Sequence, residues 1–404
     1  MPATLRARNG VAAVARKAGP MDHATQVDVI ERWLQMHRSG ATQLADDVLE
    51  IDTSVYTSAD WFAREQQALF REGAVVACLT ADVREPGDFV TLDSGGVPIV
   101  IVRDDEGQLG AFVNACRHRA TQVVHGCGQA KNFACPFHNW TYARDGRLLG
   151  QPRSQGGFAS LSKDTLGLVA LPVAEAHGLV FVRPGGGDTP DVDAIIGAEI
   201  SRDLDRFDLA GYHVWDRIQR EWQCNWKLIL DTFTESYHVF ALHGASVGPD
   251  YPGHVMIYDE FGPHLRIPVP RASILEFDHR PQEEWDLLAH ATVQYHLAPN
   301  TMVNHTIDHF ILWRFEPVGA DRTVAEMTMY TPEPRAAHDA NGEWAKSMEA
   351  WFDLHDAITR DEDYPESERI QRVLGSGRVP TTVLGRNEGA VQHFHRAVRA
   401  AVGG

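Results

Sequence analysis

The segment NACRHRATQVVHGCGQAKNFACPFHNW, residues 114–140, decides how the chain is interpreted. Cys116 and His118 stand one residue apart, sixteen residues follow, and Cys135 and His138 then stand two residues apart. Two Cys–His pairs on two loops can hold a [2Fe–2S] cluster in which the thiolates bind one iron and the imidazoles bind the other. A structural zinc ion is the alternative, but its usual spacing pairs Cys with Cys and His with His. The segment therefore predicts a binuclear iron–sulfur site.

The cysteine content of the chain agrees with a metal site rather than a disulfide framework. Five cysteines in 404 residues are few, and they indicate a reducing compartment in which thiols stay free to bind metal. His125 and Cys127 lie between the two loops and match no ligand position, so we interpret them as packing or surface residues.

Composition limits the classes of partner. The formal net charge is −18 and the pI is about 5.5, which disfavours nucleic acid and anionic membranes because both would be repelled. No apolar run approaches the roughly 20 residues that span a bilayer. We therefore expect a cytoplasmic enzyme that acts on a small molecule.

Hydrophobic periodicity divides the first half of the chain. Apolar residues at helical spacing predict helices at about residues 26–38 and 58–70, the second with Ser58 as N-cap. Between residues 75 and 182, short β-rich runs separated by Gly, Pro and Asp predict a small all-β domain. Residues 183–190 are the best linker candidate.

The second half mixes both patterns. Residues 226–243 have helical periodicity up to Gly244, residues 255–332 alternate as in an antiparallel sheet, and residues 341–373 and 387–402 read as helices. The predicted fold class is therefore α+β. We place an N-terminal tail and a helix packed on the second domain at residues 1–51, the all-β domain at 52–185 and the second domain at 186–404.

A second possible metal site lies in NWKLILDTFTESYHVFALH, residues 225–243. Glu235 and His238 are three residues apart and would share a helical face, with Asp231 one turn earlier. His243 falls off that face, so both histidines bind one metal only if the helix distorts or ends there. Two histidines and a carboxylate can hold Fe(II) with positions left open for O₂. Alone, the pattern also fits a helix end with ordinary core histidines.

Together the two motifs resemble the alpha subunits of Rieske-type, aromatic-ring-hydroxylating non-haem iron oxygenases. The resemblance rests on the loops C-x-H-R and C-P-F-H-N-W, on the Tyr, Asp-Gly and Leu that follow at residues 142, 145–146 and 148, and on N-W-K followed by an acid, Tyr, His and a second His. It covers the chain from about residue 51. The cluster ligands that it implies are Cys116, His118, Cys135 and His138.

The resemblance also implies a mononuclear Fe(II) site. His238 and His243 match its histidine ligands, and Glu235 matches an acid that bridges the cluster of one subunit to the iron of its neighbour. Two positions depart from the common pattern: the bridging acid is Glu instead of Asp, and Asp231-Thr232 stands where Glu-Asn is common. Glu occurs at the bridge in several branches, including quaternary-amine oxygenases.

The third iron ligand implied by the resemblance is a late carboxylate. RDEDYPESERIQRVLGSG, residues 360–377, resembles a segment in which an acid precedes a Gln by two helical turns. Asp363 lies eight residues before Gln371 and is our prediction; Glu362, Asp361 and Asp356 are the fallbacks, since a run of acids is usually a solvated helix face.

The implied enzyme is a terminal oxygenase, arranged as a head-to-tail trimer with or without a small β subunit. Electrons would come from NAD(P)H through a separate reductase, with or without a ferredoxin, because the chain has no G-x-G-x-x-G motif opening a βαβ unit. We expect hydroxylation or dihydroxylation of a small aromatic or alicyclic substrate in an apolar pocket. Residues 302–313 are wall candidates, and His305 and His309 there either touch substrate or are satisfied sheet histidines.

Three alternatives stay open at this point. Within the same family, the reaction could be oxidative N- or O-demethylation or quaternary-amine monooxygenation. In a different class, the chain could be a Rieske electron carrier fused to a ligand-binding module, or a zinc-stabilised binding protein.

Overall fold

The computed structural model describes residues 21–339 and 342–403. The predicted tail before residue 21 and the predicted helix start at residue 341 lie outside the described residues. Within the described ranges, no helix is both long and apolar enough to cross a bilayer.

The first predicted helix is confirmed as α1 (His23–Ser39). It begins at Asp22, whose carboxylate accepts a backbone N–H of the first turn at 2.9 Å. It ends at Gly40, which takes a φ of 66°. The buried side of α1 includes Trp33, which shares a core cluster with Ile274 of the second domain.

A short connecting region follows α1. It consists of β1 (Leu49–Asp52), α2 (Ser54–Thr57), α3 (Ala59–Glu65) and the π-helical segment Gln66–Arg71. Ser58 caps α3 as predicted, because its hydroxyl accepts the backbone N–H of Trp61 at 3.2 Å.

Residues 75–182 form the predicted all-β region. Its strands are β2 (Val75–Leu79), β3 (Asp88–Ser94), β4 (Val97–Arg103), β5 (Leu109–Val113), β6 (Cys127–Gln129), β7 (Phe133–Ala134), β8 (Thr141–Tyr142), β9 (Leu148–Gly150), β10 (Val173–Ala176) and β11 (Leu179–Val182). They pair antiparallel in the orders β5-β4-β3-β6, β7-β8-β9 and β10-β11-β2. Strand β4 is apolar from Val97 to Val102 because Ile99 and Ile101 enter one core cluster while Val100 and Val102 enter another.

The second half of the chain contains the predicted antiparallel sheet. Its strands are β12 (His213–Trp222), β13 (Asp259–Phe261), β14 (His264–Pro270), β15 (Ala291–Leu297), β16 (Thr301–Thr306), β17 (His309–Gly319) and β18 (Arg322–Thr331). The order is β12-β18-β17-β16-β15-β14-β13, and every neighbouring pair is antiparallel. The α+β class is therefore confirmed.

Helices cover this sheet. They are α4 (Val192–Phe207), α5 (Trp226–Phe233), α6 (Val239–Leu242), α7 (Leu287–His290), α8 (Glu343–Ile358), α9 (Tyr364–Leu374) and α10 (Gly389–Val402). A π-helical segment, Thr359–Asp363, joins α8 to α9. The last strand, β19 (Thr381–Leu384), pairs with β1.

The continuous helix predicted over residues 226–243 is wrong. Helix α5 ends at Phe233 and α6 begins at Val239. In the interruption, the Thr234 hydroxyl donates to the Leu230 carbonyl at 2.9 Å. The Glu235 carboxylate accepts the backbone N–H groups of Tyr237 and His238. These side chains take over groups that a continuous helix would pair internally. Asp231, Glu235 and His238 therefore do not share a helical face.

The connecting region is attached to the second half of the chain. The Thr53 backbone N–H donates to the Pro380 carbonyl at 3.0 Å, and the buried Glu65 carboxylate binds Lys227 at 2.6 Å. The domain boundaries at residues 51 and 185 stay predictions.

Candidate functional site

Cys116 and Cys135 each open a tight turn of the same design. The Ala120 N–H donates to the Cys116 carbonyl at 2.8 Å, and the Asn139 N–H donates to the Cys135 carbonyl at 2.9 Å. Ala120 and Asn139 take φ values of 59° and 60°, a left-handed conformation that lets each turn close. The two loops therefore present their Cys–His pairs in matching positions.

The four predicted cluster residues come together at these turns. Both thiols are buried in one core cluster, and the rings of His118 and His138 lie 4.6 Å apart between centroids. His118 Nδ1 is buried and has no hydrogen-bond partner among the described residues. Burial, together with nearby His138 and Arg119, lowers the pKa of His118, which favours the neutral imidazole that binds metal. Two thiols and two imidazoles with an unpaired ring nitrogen fit a [2Fe–2S] cluster.

Aromatic residues support this region. The Tyr142 hydroxyl lies 3.3 Å from Cys116 Sγ and accepts the Arg117 backbone N–H at 2.9 Å. The ring of Trp140 is buried and stacks on His118 at 5.1 Å. Such contacts orient ligands and tune a metal site. His125 and Cys127 are exposed, in agreement with their interpretation as non-ligands.

A second group of metal-binding side chains lies in the helical layer. His238 stands at the N-cap of α6, His243 at its C-cap, and Asp363 at the last position of the π-helical segment. Each offers one ligand atom, and the three atoms lie within 4.8 Å of one another. Asp363 Oδ1 is 3.6 Å from His238 Nε2 and 3.1 Å from His243 Nε2. Helix α6 spans only the four residues Val239–Leu242, so the two histidines stand at its two ends, and their rings lie 5.0 Å apart between centroids.

A glutamate holds the far nitrogen of each imidazole. Glu235 Oε1 contacts His238 Nδ1, and Glu362 Oε2 lies 2.6 Å from His243 Nδ1. Because a carboxylate accepts, each Nδ1 carries a proton, and each Nε2 faces Asp363. Glu362 also accepts the Ser246 hydroxyl at 2.7 Å. Both rings are therefore oriented so that a metal could bind through Nε2.

The electrostatics of this group fit a cation. Asp363 Oδ1 is buried and accepts no hydrogen bond of acceptable geometry from the described residues, although His243 Nε2 is close. Burial lowers the pKa of His243, but the carboxylates of Asp363 and Glu362 outweigh burial and raise it. A metal ion at the centre would satisfy the unpaired carboxylate oxygen and both ring nitrogens.

The fallback acids lie elsewhere. Asp356 binds Arg220 and Arg360, and Asp361 binds Arg360 at the surface. Glu362 points to the far nitrogen of His243. Among the four acids weighed from the sequence, Asp363 alone belongs to the group of three.

Sequence reasoning missed a buried polar network beneath the second group. The Tyr56 hydroxyl donates to Asp231 at 3.1 Å, and His395 Nε2 lies 2.8 Å from Asp231 and 3.1 Å from the Tyr56 oxygen. Any two of these three residues are 164 to 339 positions apart along the chain, and no local pattern links them. Asp231, which the sequence placed on the face of Glu235, anchors α5 to α2 and α10 instead.

The N-W-K triplet also has a structural role. Asn225 caps α5, its side-chain amide donates to the Ala320 carbonyl at 2.6 Å, and its backbone N–H donates to Gln371 at 3.0 Å. Trp226 and Lys227 both bind the buried Glu65 carboxylate. Gln371 therefore docks α9, and with it Asp363, against the start of α5.

The two sheet histidines face opposite sides. His305 stacks on Phe207 at 5.0 Å and belongs to the side covered by α4. His309 lies on the other side, 5.5 Å from Trp351 of α8 between ring centroids. His305 is thus a packing residue, whereas His309 faces the helices that carry Asp363.

Two family models match the chain. The model described as "Rieske [2Fe-2S] domain" matches residues 73–166, and the model described as "Ring hydroxylating alpha subunit (catalytic domain)" matches residues 209–404. Together they cover well over half of the chain.

Curated relatives include the carnitine monooxygenase oxygenase subunit of Acinetobacter baumannii, 31% identical over 204 residues, which are 49% of this chain and 51% of that protein. The terephthalate 1,2-dioxygenase terminal oxygenase component subunit alpha 2 of Comamonas sp is 34% identical over 198 residues, 47% of this chain and 48% of that protein. The chain thus spans about half the length of the curated relatives it matches.

Solved structures share the fold over most of the chain. The quaternary ammonium Rieske monooxygenase CntA has a TM-score of 0.76 at 23% identity and covers 88% of this chain and 96% of its own. Naphthalene 1,2-dioxygenase from Rhodococcus sp. has a TM-score of 0.70 at 17% identity, with coverages of 93% and 98%. With both family models, the fold and the two groups of ligand side chains, the chain belongs to the alpha subunits of Rieske-type non-haem iron oxygenases.

Proposed function

We propose that this chain is a terminal oxygenase that inserts one or both atoms of O₂ into a small aromatic or alicyclic substrate. The observation that carries the proposal is the group His238, His243 and Asp363, whose ligand atoms lie within 4.8 Å of one another. Two histidines and one carboxylate are the ligand set of Fe(II) oxygenases. In the proposal this set holds the mononuclear iron, and Cys116, His118, Cys135 and His138 hold the cluster.

The two cofactors would have different chemical roles. When bound, the [2Fe–2S] cluster carries single electrons and the mononuclear iron activates O₂ beside the substrate. The protein residues set the conditions: Glu235 and Glu362 keep protons on the Nδ1 atoms of the two imidazoles, and Asp363 supplies the negative charge. An electron carrier fused to a binding module would need the cluster loops alone, so the second group favours an oxygenase.

Glu235 is proposed as the link between neighbouring subunits. Its carboxylate holds His238, and the adjacent Tyr237 and Phe240 are 65% and 72% exposed. On the cluster side, His138 is exposed and Phe137 beside it is 53% exposed. Exposed aromatic residues flanking both groups suit an interface, and in a head-to-tail trimer they would bring Glu235 to the neighbour's His138.

The electron supply is proposed to be external. NAD(P)H would reduce a separate reductase, with or without a ferredoxin, and this partner would reduce the cluster near His138. Whether a small β subunit joins the trimer is left to measurement of the assembled mass.

Quaternary-amine oxidation is the second candidate reaction. Curated relatives include a carnitine monooxygenase subunit, and CntA is among the similar structures. Glu at position 235 is compatible with this branch, but a dioxygenase, the terephthalate enzyme, is equally among the curated relatives. Ring hydroxylation and demethylation would use the same iron ligands, so the substrate pocket decides between them.

The first test is the metal content of anaerobically purified protein. Three irons and two acid-labile sulfides per chain are expected, and Asp363→Ala should retain the two cluster irons and lose the third. Asp361→Ala is the matched control and should keep all three, because Asp361 is an exposed partner of Arg360. Two irons with two sulfides in the unaltered protein, not increased by added Fe(II), would remove the oxygenase proposal. Full iron retention in Asp363→Ala would reassign the ligand.

A further inference from the structure

Three polar residues lie on the side of the large sheet that packs against α8. Arg271 directly follows β14, His309 opens β17, and His355 lies in α8. The rings of His309 and His355 are 5.8 Å apart between centroids. Arg271 donates to the Thr292 hydroxyl at 3.2 Å, and Thr292 in turn contacts Thr306, the strand partner of His309. These residues therefore form one row across the end of the sheet.

This row lies on the same side of the sheet as the proposed iron ligands. Side chains alternate along a strand, so His309, Trp313 and Phe315 of β17 point to one face. Trp313 and Phe315 contact Phe233, the last residue of α5, at 5.5 and 5.4 Å between ring centroids. His355 precedes Asp363 by eight residues, which is about 12 Å along the helix axis. The row thus stands at one end of a face whose other end carries the ligands.

The row has polar atoms that the protein does not satisfy. Arg271 Nη1, His309 Nε2 and His355 Nε2 are buried and lack a hydrogen-bond partner within residues 21–339 and 342–403. Over the same ranges no carboxylate lies within 4.0 Å of the Arg271 guanidinium. Buried polar groups are rarely left unpaired. Three such atoms in one row indicate a place for a ligand.

Arg271 is the one member of the row that carries a permanent positive charge, and a guanidinium can bind a negative ligand. Burial lowers the pKa of Arg271, although Tyr251, Asp308 and Asp250 partly oppose this effect. Asp308 is already engaged, because its carboxylate lies 3.0 Å from His309 Nδ1. Burial, with nearby His309 and Arg271, lowers the pKa of His355 to about 3. His355 is therefore neutral at physiological pH and can offer one N–H.

We propose that Arg271, His309 and His355 bind a carboxylate of the substrate, which makes the substrate an organic acid. This inference rests on the proposed oxygenase function, because it takes the substrate to lie on the sheet face beside Asp363. A guanidinium binds a carboxylate with strong, charge-assisted hydrogen bonds. Trp351 stacks beside His355 at 5.8 Å and lies 5.5 Å from His309, so it offers an apolar wall for the carbon skeleton next to the carboxylate.

The test is calorimetric titration of the iron-loaded holoenzyme under anaerobic conditions. The probes are benzoate and 3-phenylpropanoate, each paired with its uncharged amide. At least one acid should bind about tenfold or more tightly than its amide. Arg271→Gln should weaken binding of that acid about tenfold and leave binding of the amide unchanged. Arg280→Gln is the matched control, because Arg280 is exposed and pairs with Glu276.

A second variant guards against misfolding. His355→Phe keeps a ring in the helix, removes the donor and should weaken acid binding while the cluster absorbance stays intact. Equal binding of acid and amide in the unaltered protein, tighter binding of the amide, or no binding of any probe would overturn the carboxylate assignment. Unchanged acid binding in Arg271→Gln would overturn it as well. Iron and sulfide are counted in the same samples, so failure of the oxygenase proposal is recognised separately by a missing third iron.

Discussion

Glu235 and Glu362 act on the two imidazoles in the same way, although they come from different parts of the chain. Each carboxylate faces an Nδ1 atom and thereby directs the Nε2 atom of the same ring towards Asp363. Glu235 precedes His238 by three residues, whereas Glu362 and His243 are 119 residues apart. Both ring orientations are set before any metal binds, which lowers the cost of assembling the site.

Replacement of Glu235 by Gln tests its proposed role as the link between subunits. Gln keeps an acceptor for His238 Nδ1 but removes the negative charge, so both metal sites should remain filled. We expect the reduced cluster to be reoxidised by O₂ about 10- to 100-fold more slowly than in the unaltered protein, the usual cost of altering such a partner. Stopped-flow absorbance measures this rate.

Glu349→Gln is the matched control, because Glu349 is an exposed partner of Arg335. Wild-type reoxidation in Glu235→Gln with full iron content would contradict the bridging role.

Residue spacing predicted the cluster loops, and the resemblance of residues 360–377 to a family segment predicted Asp363, but neither predicted the contacts of the neighbouring residues. The two Cys–His pairs are local, and the turns that present them need only a few residues. Glu362 could be recognised only as one acid in a run, because its contact with His243 is made by packing of the π-helical segment Thr359–Asp363 against α6. The convergence of Arg271, His309 and His355 has no local signal at all.

At the scale of elements, apolar periodicity predicted where helices lie but not where they break. Residues 226–243 keep helical spacing throughout, yet Thr234 and Glu235 bond to backbone groups and interrupt the helix. Apolar periodicity indicates which residues are buried. It does not show where side chains compete with the helix for backbone hydrogen bonds. Apolar periodicity likewise did not predict the π-helical segment Thr359–Asp363. Such segments are common at functional sites.

Strand β17 connects the two halves of the chain through a buried acid. Glu316 is 5% exposed and accepts the Gly95 backbone N–H of the β3–β4 turn at 3.1 Å. Burial raises the pKa of Glu316 from 4.5 to about 8, although Arg314 opposes the shift. Between these values the folded protein binds more protons than the unfolded chain, so the stability contribution is present at low pH and is lost as pH rises towards 8.

Glu316→Gln should therefore flatten the dependence of stability on pH. In the unaltered protein we expect the melting temperature to fall between pH 5 and pH 8, and in the variant to fall less, because an amide does not ionise. Differential scanning calorimetry measures both. Glu349→Gln is the control here too, since Glu349 pairs with Arg335, which does not titrate in this range. An identical slope in Glu316→Gln and in the unaltered protein would show that another group governs this range.

At the scale of the whole molecule, the α+β class and the order of the regions followed from the sequence because the change from β-rich runs to mixed elements is large. The attachment of the N-terminal region to the rest of the chain could not be predicted from the sequence. Tyr56 and Glu65 reach Asp231 and Lys227 across more than 150 residues, and β1 pairs with β19 near the other end of the chain. Contacts of this range depend on the folded core, so the predicted boundary at residue 51 could not be checked from local pattern.

Mixed assemblies test whether electrons pass between subunits. Cys135→Ser should lose the cluster but keep the mononuclear iron, and Asp363→Ala should do the reverse. Alone, each lacks one cofactor and should show no rapid reoxidation of a reduced cluster by O₂. In a head-to-tail trimer assembled from equal amounts, a cluster-bearing subunit faces an iron-bearing neighbour about half of the time, so about half of the clusters should reoxidise at the wild-type rate. Mixing the variants after separate assembly is the control and should restore nothing. If co-assembled trimers of verified mixed composition also show no rapid phase, transfer occurs within one chain and Glu235 bridges no interface.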